Sequence, residues 1–368
     1  MPFQNIKGRE NILKKILITL LVLTLTGAVA FTLYFRLRPA ETSENPIIEN
    51  VDEDIEIKDD SVVEENTSEN YCLTCGQETA PENANLRPLA VIIENHPAAR
   101  PQSGLEDACI VYEVVAEGGI TRFLAIYTHK NCNNIGPVRS VRKYFAEIAK
   151  GYDAMLAHCG GSPTGYLAIK ELHLADLDEF ANSGAYRRVS SRKMPHNLYT
   201  STKRLRERAE KKNFASNVSY ESFKFKNDAP LEKRPEETYA IIDFSTPKFK
   251  VKYEYNRENN SYSRFMGGMQ HKDSNSGKQL EAKNILVLIT SIRVVDKIGR
   301  VDISTLGSGP AYAFLDGTVI TGRWTRESLS NTIKFYDQSE KEIALNRGQT
   351  WIEIISPDKK VDFPEFQG

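Results

Sequence analysis

The residues best able to do chemistry stand where apolar runs give way to polar ones. Glu94, Asn95, His96 and Arg100 close and follow the run at 89–95, and Glu117 and Arg122 flank two glycines between the runs at 108–115 and 121–128. Arg139 and Arg142 open an amphipathic stretch, His158 and Ser162 frame a glycine-rich one, and His196, Asn197 and Tyr199 precede the helix-capping type of residue at Ser201. Arginines three apart at a helix start share one face and lie near backbone N–H groups that the first turn leaves unpaired. Such a pair can grip a phosphate or carboxylate. Glu94 and His158 are the groups that could accept a proton.

Several sharper chemistries fail on spacing. The stretch at 158–165 is no phosphate-binding P-loop, because the Lys-Ser/Thr ending is missing. Ser162 is no elbow nucleophile either: Gly160 fits, but Thr164 stands where glycine is required. A backbone anion nest is what remains. His96, His158 and His196 fall near different strand ends, but none shows the helical pairing of metal ligands, so no metal and no cofactor is assigned. Cys72 and Cys75 have the spacing of a redox pair or half a zinc site, yet no second such pair or nearby histidine completes it in sequence. A local disulfide or two unpaired thiols is therefore expected there. Cys109 and Cys132, in or near apolar strands, read as buried structural cysteines, and with Cys159 the total of five leaves one unpaired within the chain.

The elements that must position these groups are legible. Nearly continuous apolar runs at 89–95, 108–115, 121–128 and 154–158 predict strands covered on both faces. Helices are predicted over 140–152, 164–172 and 201–213, the last capped by Ser201. This makes 71–225 an α/β layered domain with a mixed sheet. The polar, two-proline segment 226–237 predicts a link, and 238–368 reads as a mostly antiparallel β domain, with Asp316 and Gly317 marking a tight hairpin. The fold class is thus α+β.

Outside these regions, residues 16–35 carry no charge and are long enough, at about 1.5 Å per residue, to cross a hydrocarbon core of roughly 30 Å. Lys7, Arg9, Lys14 and Lys15 before the span favour a cytoplasmic N-terminus at 1–15 and an extracytoplasmic body. The competing reading is a cleaved signal peptide ending at the small-x-small triplet 28–30, but the apolar run continues past it. Residues 36–70 read as an acidic linker expected to be disordered; the part at 41–70 has net charge −11, against +5 for residues 1–40 and +5 for everything after 70. So small a positive balance excludes a nucleic-acid binder, which needs a basic stripe.

The stretches 87–105, 117–127, 136–145, 158–163 and 195–202, continued by 271–277, 296–300, 316–324 and 348–354, resemble the YerB-like family of membrane-anchored or lipoprotein envelope proteins of unknown function. The resemblance covers both predicted domains and implies a plasma-membrane protein working outside the cytoplasm. Two residues depart from it: Ala28 stands where many relatives carry a lipid-acceptor cysteine, and Cys75 replaces the glycine of a Leu-Thr-Gly. A fainter similarity, in the order of Asp107, Arg139 and the 157–163 segment, is to LytR-CpsA-Psr envelope phosphotransferases. It would make Asp107 or Glu94 a metal ligand or proton acceptor, and Arg139 and Arg142 phosphate clamps.

The leading expectation is a single-pass envelope protein with a binding pocket in its first domain, recognising an anionic wall polymer, a lipid-linked precursor or an envelope partner. The ligand-binding set expected is Glu94, Asn95, His96, Arg100, Glu117, Arg122, Arg139, Arg142, His158, Ser162, His196, Asn197 and Tyr199. Phosphotransfer and a scaffolding role for the β domain are the alternatives.

Overall fold

The computed structural model describes residues 70–364, so the predicted span at 16–35, nearly all of the acidic linker and residues 365–368 lie outside the described part. Among the described residues no helix is long and apolar enough to cross a membrane.

Strands β1 (Leu89–Glu94), β2 (Ile110–Val115), β3 (Thr121–Tyr127) and β4 (Met155–Ala157) form where the apolar runs predicted them, and a short β5 (Ala175–Asp176), which no run announced, follows. Beyond residue 225 come β6 (Asn284–Ile289), β7 (Gly307–Leu315), β8 (Thr318–Arg326), β9 (Lys334–Asp337) and β10 (Thr350–Ile355). All ten join one mixed sheet in the order β9-β8-β7-β6-β10-β2-β3-β1-β4-β5. Its seam is β10, which pairs in parallel with β2 on one side and β6 on the other. The segment 226–237 is an exposed crossing, and the strands beyond it return to the sheet begun before it.

Side chains alternate across a strand, so each face of the sheet needs its own cover. Ala90 and Ile92 of β1 pack with Tyr144, Phe145 and Ile148 of helix α1 (Lys143–Gly151) and Ala168 and Ile169 of α2 (Pro163–Glu171). Val91 and Ile93 face the other way, toward Leu205 and Ala209 of α3 (Thr202–Lys211) and Ile242, Val251 and Tyr262. The last three belong to a second, antiparallel six-stranded sheet that includes Tyr239–Asp243, Lys250–Asn256 and Ser261–Met266. The architecture is α+β with a mixed sheet, as composition and periodicity predicted.

Local signals hold in detail. Ser201 accepts a hydrogen bond from Arg204 N at 3.2 Å and caps α3. Asp316 (φ 52°) and Gly317 (φ 78°) both take the left-handed conformation that a tight β7–β8 turn demands. Trp324 and Trp351 are buried in the two cores. All five cysteines are free thiols, so of the two outcomes expected for Cys72 and Cys75, a local disulfide or unpaired thiols, the structure has the second.

Candidate functional site

Glu94 ends β1, opposite Arg122 of β3 in the antiparallel register. The segment after Pro137 runs alongside: Glu94 N donates to Pro137 O at 2.9 Å, and Arg139 N to Ile92 O at 2.9 Å. This backbone pairing brings Arg139 Nε to 3.1 Å from Glu94 Oε1. The N–H nevertheless points elsewhere, and Arg139 Nε is buried without a hydrogen-bond partner among the described residues. Proximity and direction therefore disagree, and direction decides that this is an ion pair lacking a hydrogen bond. His196 Nδ1 takes the other carboxylate oxygen, Oε2, at 2.7 Å, and His96 stacks on His196 with ring centroids 5.1 Å apart and planes 13° off parallel.

The turn between β2 and β3 supplies the second carboxylate. Gly118 and Gly119 both have positive φ, which folds Glu117 back over the strand ends. Its carboxylate is held by Arg122 Nη2 at 3.1 Å and by Arg142 Nε. Burial opposes ionisation of Glu117, but the Arg142 hydrogen bond and the two guanidinium charges outweigh it and keep the carboxyl below the usual range. Arg122 is drawn below its ordinary value by burial and by the charge of Arg142, with Arg139 adding a smaller push. Arg122, Arg139 and Arg142 thus crowd two carboxylates at the carboxyl end of β1, where ligands sit in open α/β sheets.

The other expected residues have structural occupations. His158 is fully buried, with Nδ1 on Gly160 O at 2.9 Å and Nε2 on Asp176 Oδ1 at 3.0 Å, so neither nitrogen is free to act as a base. Ser162 caps α2 by accepting from Gly165 N at 3.0 Å. Their loop still serves the site, because Cys159 N donates to Arg139 O and Val141 N to Gly160 O, which fixes the segment carrying the arginines. The Cys159 thiol is pushed up to about 11 by burial and the charge of Glu179, so it stays protonated at neutral pH. Asn197 accepts from Arg188 Nη1 at 3.1 Å, and Tyr199 packs against Gly136 at the back of the site.

Asn95 and Arg100 turn away into the space between the two sheets. Asn95 is fully buried; it donates to Thr121 Oγ1 at 2.6 Å and accepts from Arg100 Nε at 3.0 Å. They border a network that sequence reasoning missed. Arg264 of the second sheet pairs with Glu113 of β2, lies 3.7 Å from Glu353 of β10 and stacks on Trp351 at 4.1 Å. Its only signal in the sequence was a lone glutamate inside each of two otherwise apolar strands. Asp107 is also misplaced by the reading that joined it to Arg139. It lies just before β2, whose first residue pairs with Ile126 and Thr350, at the sheet edge opposite Glu94.

Open clefts of 820 Å³, lined by Met155, Arg206 and Phe214 among others, and 630 Å³, lined by Ala185, Arg204 and Arg208 among others, flank α3. Neither is lined by the arginines of the cluster. Of the candidates for proton transfer, Asp107 lies at the far end of the strands from Glu94, and His158 has both nitrogens occupied. The cluster sets three guanidinium groups against two carboxylates and so carries an excess of positive charge.

Residues 73–215 match the family described as "Protein of unknown function (DUF3048) N-terminal domain", and residues 240–352 match "Protein of unknown function (DUF3048) C-terminal domain". "Putative lipoprotein YerB" of Bacillus subtilis (strain 168) is 35% identical over 292 residues, 77% of this chain and 85% of the relative. The crystal structure of YerB protein from Bacillus subtilis superposes with a TM-score of 0.71 at 30% identity, covering 79% of this chain and 99% of that one.

Proposed function

The chain belongs to the YerB-like family defined by paired DUF3048 N- and C-terminal domains, and from that premise we propose that it is an envelope-associated protein whose body works outside the membrane and holds an anionic ligand with Arg122, Arg139 and Arg142. The observation that carries the reading is three guanidinium groups converging on two carboxylates, with Arg139 Nε buried and lacking an acceptor. Three guanidinium groups against two carboxylates leave one positive charge in excess, which a phosphate or carboxylate can neutralise. The His96–His196 stack, half-buried beside Glu94, adds a flat face suited to a sugar or amide plane.

The uncharged run at 16–35 supports anchoring by one helix. Ala28, where a lipid-acceptor cysteine would stand in a lipoprotein relative, favours that mode over lipidation. Binding is better supported than phosphotransfer, since His158 is occupied on both nitrogens, Ser162 is a helix cap and Asp107 is remote from Arg139. A scaffolding role for the β region has no observation in its favour beyond the second sheet itself.

The test is binding of the detergent-purified full chain to wall teichoic acid, peptidoglycan fragments and lipid-linked wall precursor. Arg139→Ala should weaken the ligand it recognises roughly ten- to a hundredfold, as loss of a charged hydrogen bond worth about 1.5–3 kcal/mol requires. Absence of binding to all three, or affinity unchanged in Arg139→Ala, would defeat the proposal. Turnover of the precursor would replace it with the enzymatic reading.

A further inference from the structure

At the sheet edge opposite the arginines, Cys72, Cys75, Cys109 and His129 meet, although 34 residues part Cys75 from Cys109 and 20 part Cys109 from His129. The three sulfurs are buried, at 1%, 1% and 2% exposure, and His129 is half-buried. Cys72 Sγ lies 4.0 Å from Cys109 Sγ, His129 Nδ1 lies 3.5 Å from Cys109 Sγ and 3.8 Å from Cys75 Sγ, and all four ligand atoms fall within 4.8 Å of one another. A tetrahedron with metal–sulfur bonds of about 2.3 Å and a metal–nitrogen bond of about 2.0 Å has sulfur–sulfur edges near 3.8 Å and sulfur–nitrogen edges near 3.5 Å. We propose that these four side chains form a structural site for a thiophilic divalent cation, zinc foremost, tying the start of the folded region to the central sheet.

The backbone is built for such a site. Residues 72–76 make a tight turn in which Gly76 N donates to Cys72 O at 2.7 Å, and Cys72 N to Gln77 O at 2.9 Å. Gly76 closes it with φ +65°, and a Cβ there would meet Phe225 at 2.5 Å, so no other residue fits. The turn presents both sulfurs to one side. Cys109 arrives just before β2, and His129 just after β3, because those strands are antiparallel neighbours whose ends coincide. Gly348 N donates to Cys75 O at 2.8 Å and Thr350 N to Cys109 O at 3.0 Å, so the cluster also touches the chain entering β10. Three thiolates and a neutral imidazole around a dication leave one negative charge. Arg206, mostly buried and donating to Thr128 O at 2.8 Å, stands beside the His129 backbone to offset it.

Redox chemistry fits less well. The Cys72–Cys75 pair sits in a turn rather than at a helix N-terminus, and its sulfurs are covered, so an exchanging thiol has no path to them. A disulfide needs sulfurs about 2 Å apart, which the Cys72–Cys109 pair reaches only by moving.

The full chain, purified in detergent with a reductant and without chelator, should carry about one zinc per molecule by elemental analysis. Replacement by cobalt should give the absorption of tetrahedral cobalt with thiolate charge transfer, and iodoacetamide should leave Cys72, Cys75 and Cys109 unlabelled until the metal is removed. Cys109→Ser should lower metal content to less than roughly a tenth, whereas His129→Cys, which keeps four ligands, and Cys132→Ser, outside the cluster, should retain it. Should a ligand variant fail to fold, the cobalt spectrum of the unaltered chain still decides. A folded chain free of zinc that gives no tetrahedral cobalt spectrum, a mass lighter by two hydrogens with a Cys72–Cys109 or Cys72–Cys75 bond, or full metal content in Cys109→Ser would each overturn the site. None of these results bears on the arginine cluster at the other edge.

Discussion

Glu353 shows how tertiary neighbours decide what a side chain does. It is fully buried; its Oε1 accepts from Tyr253, while Oε2 has no hydrogen-bond partner among the described residues. Burial and the nearby charge of Glu113, against the attraction of Arg264, push its carboxyl up to about 8. Burial and the charges of Arg264 and Arg100 hold His271 well below its usual value, so it is neutral and receives one of the Arg264 N–H groups. Because the folded pKa of Glu353 lies above its unfolded value, the native state binds the extra proton, and stability must fall as pH rises from about 4.5 through about 8. Glu353→Gln should flatten that decline in melting temperature, and an unchanged slope would show the proton resides elsewhere. Glu117 runs the opposite way: with its pKa lowered, its contribution is present above the ordinary glutamate range and is lost as pH falls below it.

Helices and turns at the site are set by short-range rules. The Ser162 hydroxyl satisfies Gly165 N in the first turn of α2, while its backbone N–H donates to Val141 O in the segment that follows Arg139. Ser162→Ala should cost about 1 kcal/mol in denaturant unfolding, with Ser162→Asp restoring most of it, since aspartate caps equally well. A loss confined to ligand binding, with stability unchanged, would mean that the hydroxyl touches ligand instead. The β7–β8 hairpin is equally local. Gly317 sits against Tyr255 and Pro235, where a Cβ would come within 2.4 Å of Tyr255, so Gly317→Ala should loosen the second sheet as well as the turn. The measurement is accelerated proteolysis within 226–260, and equal rates in both proteins would refute the coupling.

Across the whole molecule, the decisive element is β10, because it inserts between β2 and β6 and carries Glu353 and Trp351 to Arg264. A chain limited to residues 71–225 leaves the β2 edge unpaired, the Val91–Ile93 face covered by α3 alone and Glu113 without its arginine. Such a fragment should not melt cooperatively, since it loses the second sheet that covers most of that face and exposes apolar surface it cannot bury elsewhere; a soluble, cooperatively melting fragment would refute this. Sequence by itself determined most of the strands, the helices, the Ser201 cap, the tight hairpin and the arginine-rich strand end, because periodicity, capping and turn chemistry act over a few residues. It also singled out Arg139 and Arg142, but for a helical spacing they do not have: both precede α1 in extended backbone, and pairing of that segment with β1 is what brings them to the carboxylates. Only the tertiary structure decided that the polar crossing at 226–237 leads back into the same sheet, that His158, Asn95 and Asp107 serve elsewhere, and that Cys109 and His129 join Cys72 and Cys75. Those outcomes depend on strand order and register, which bring together residues that no local pattern connects.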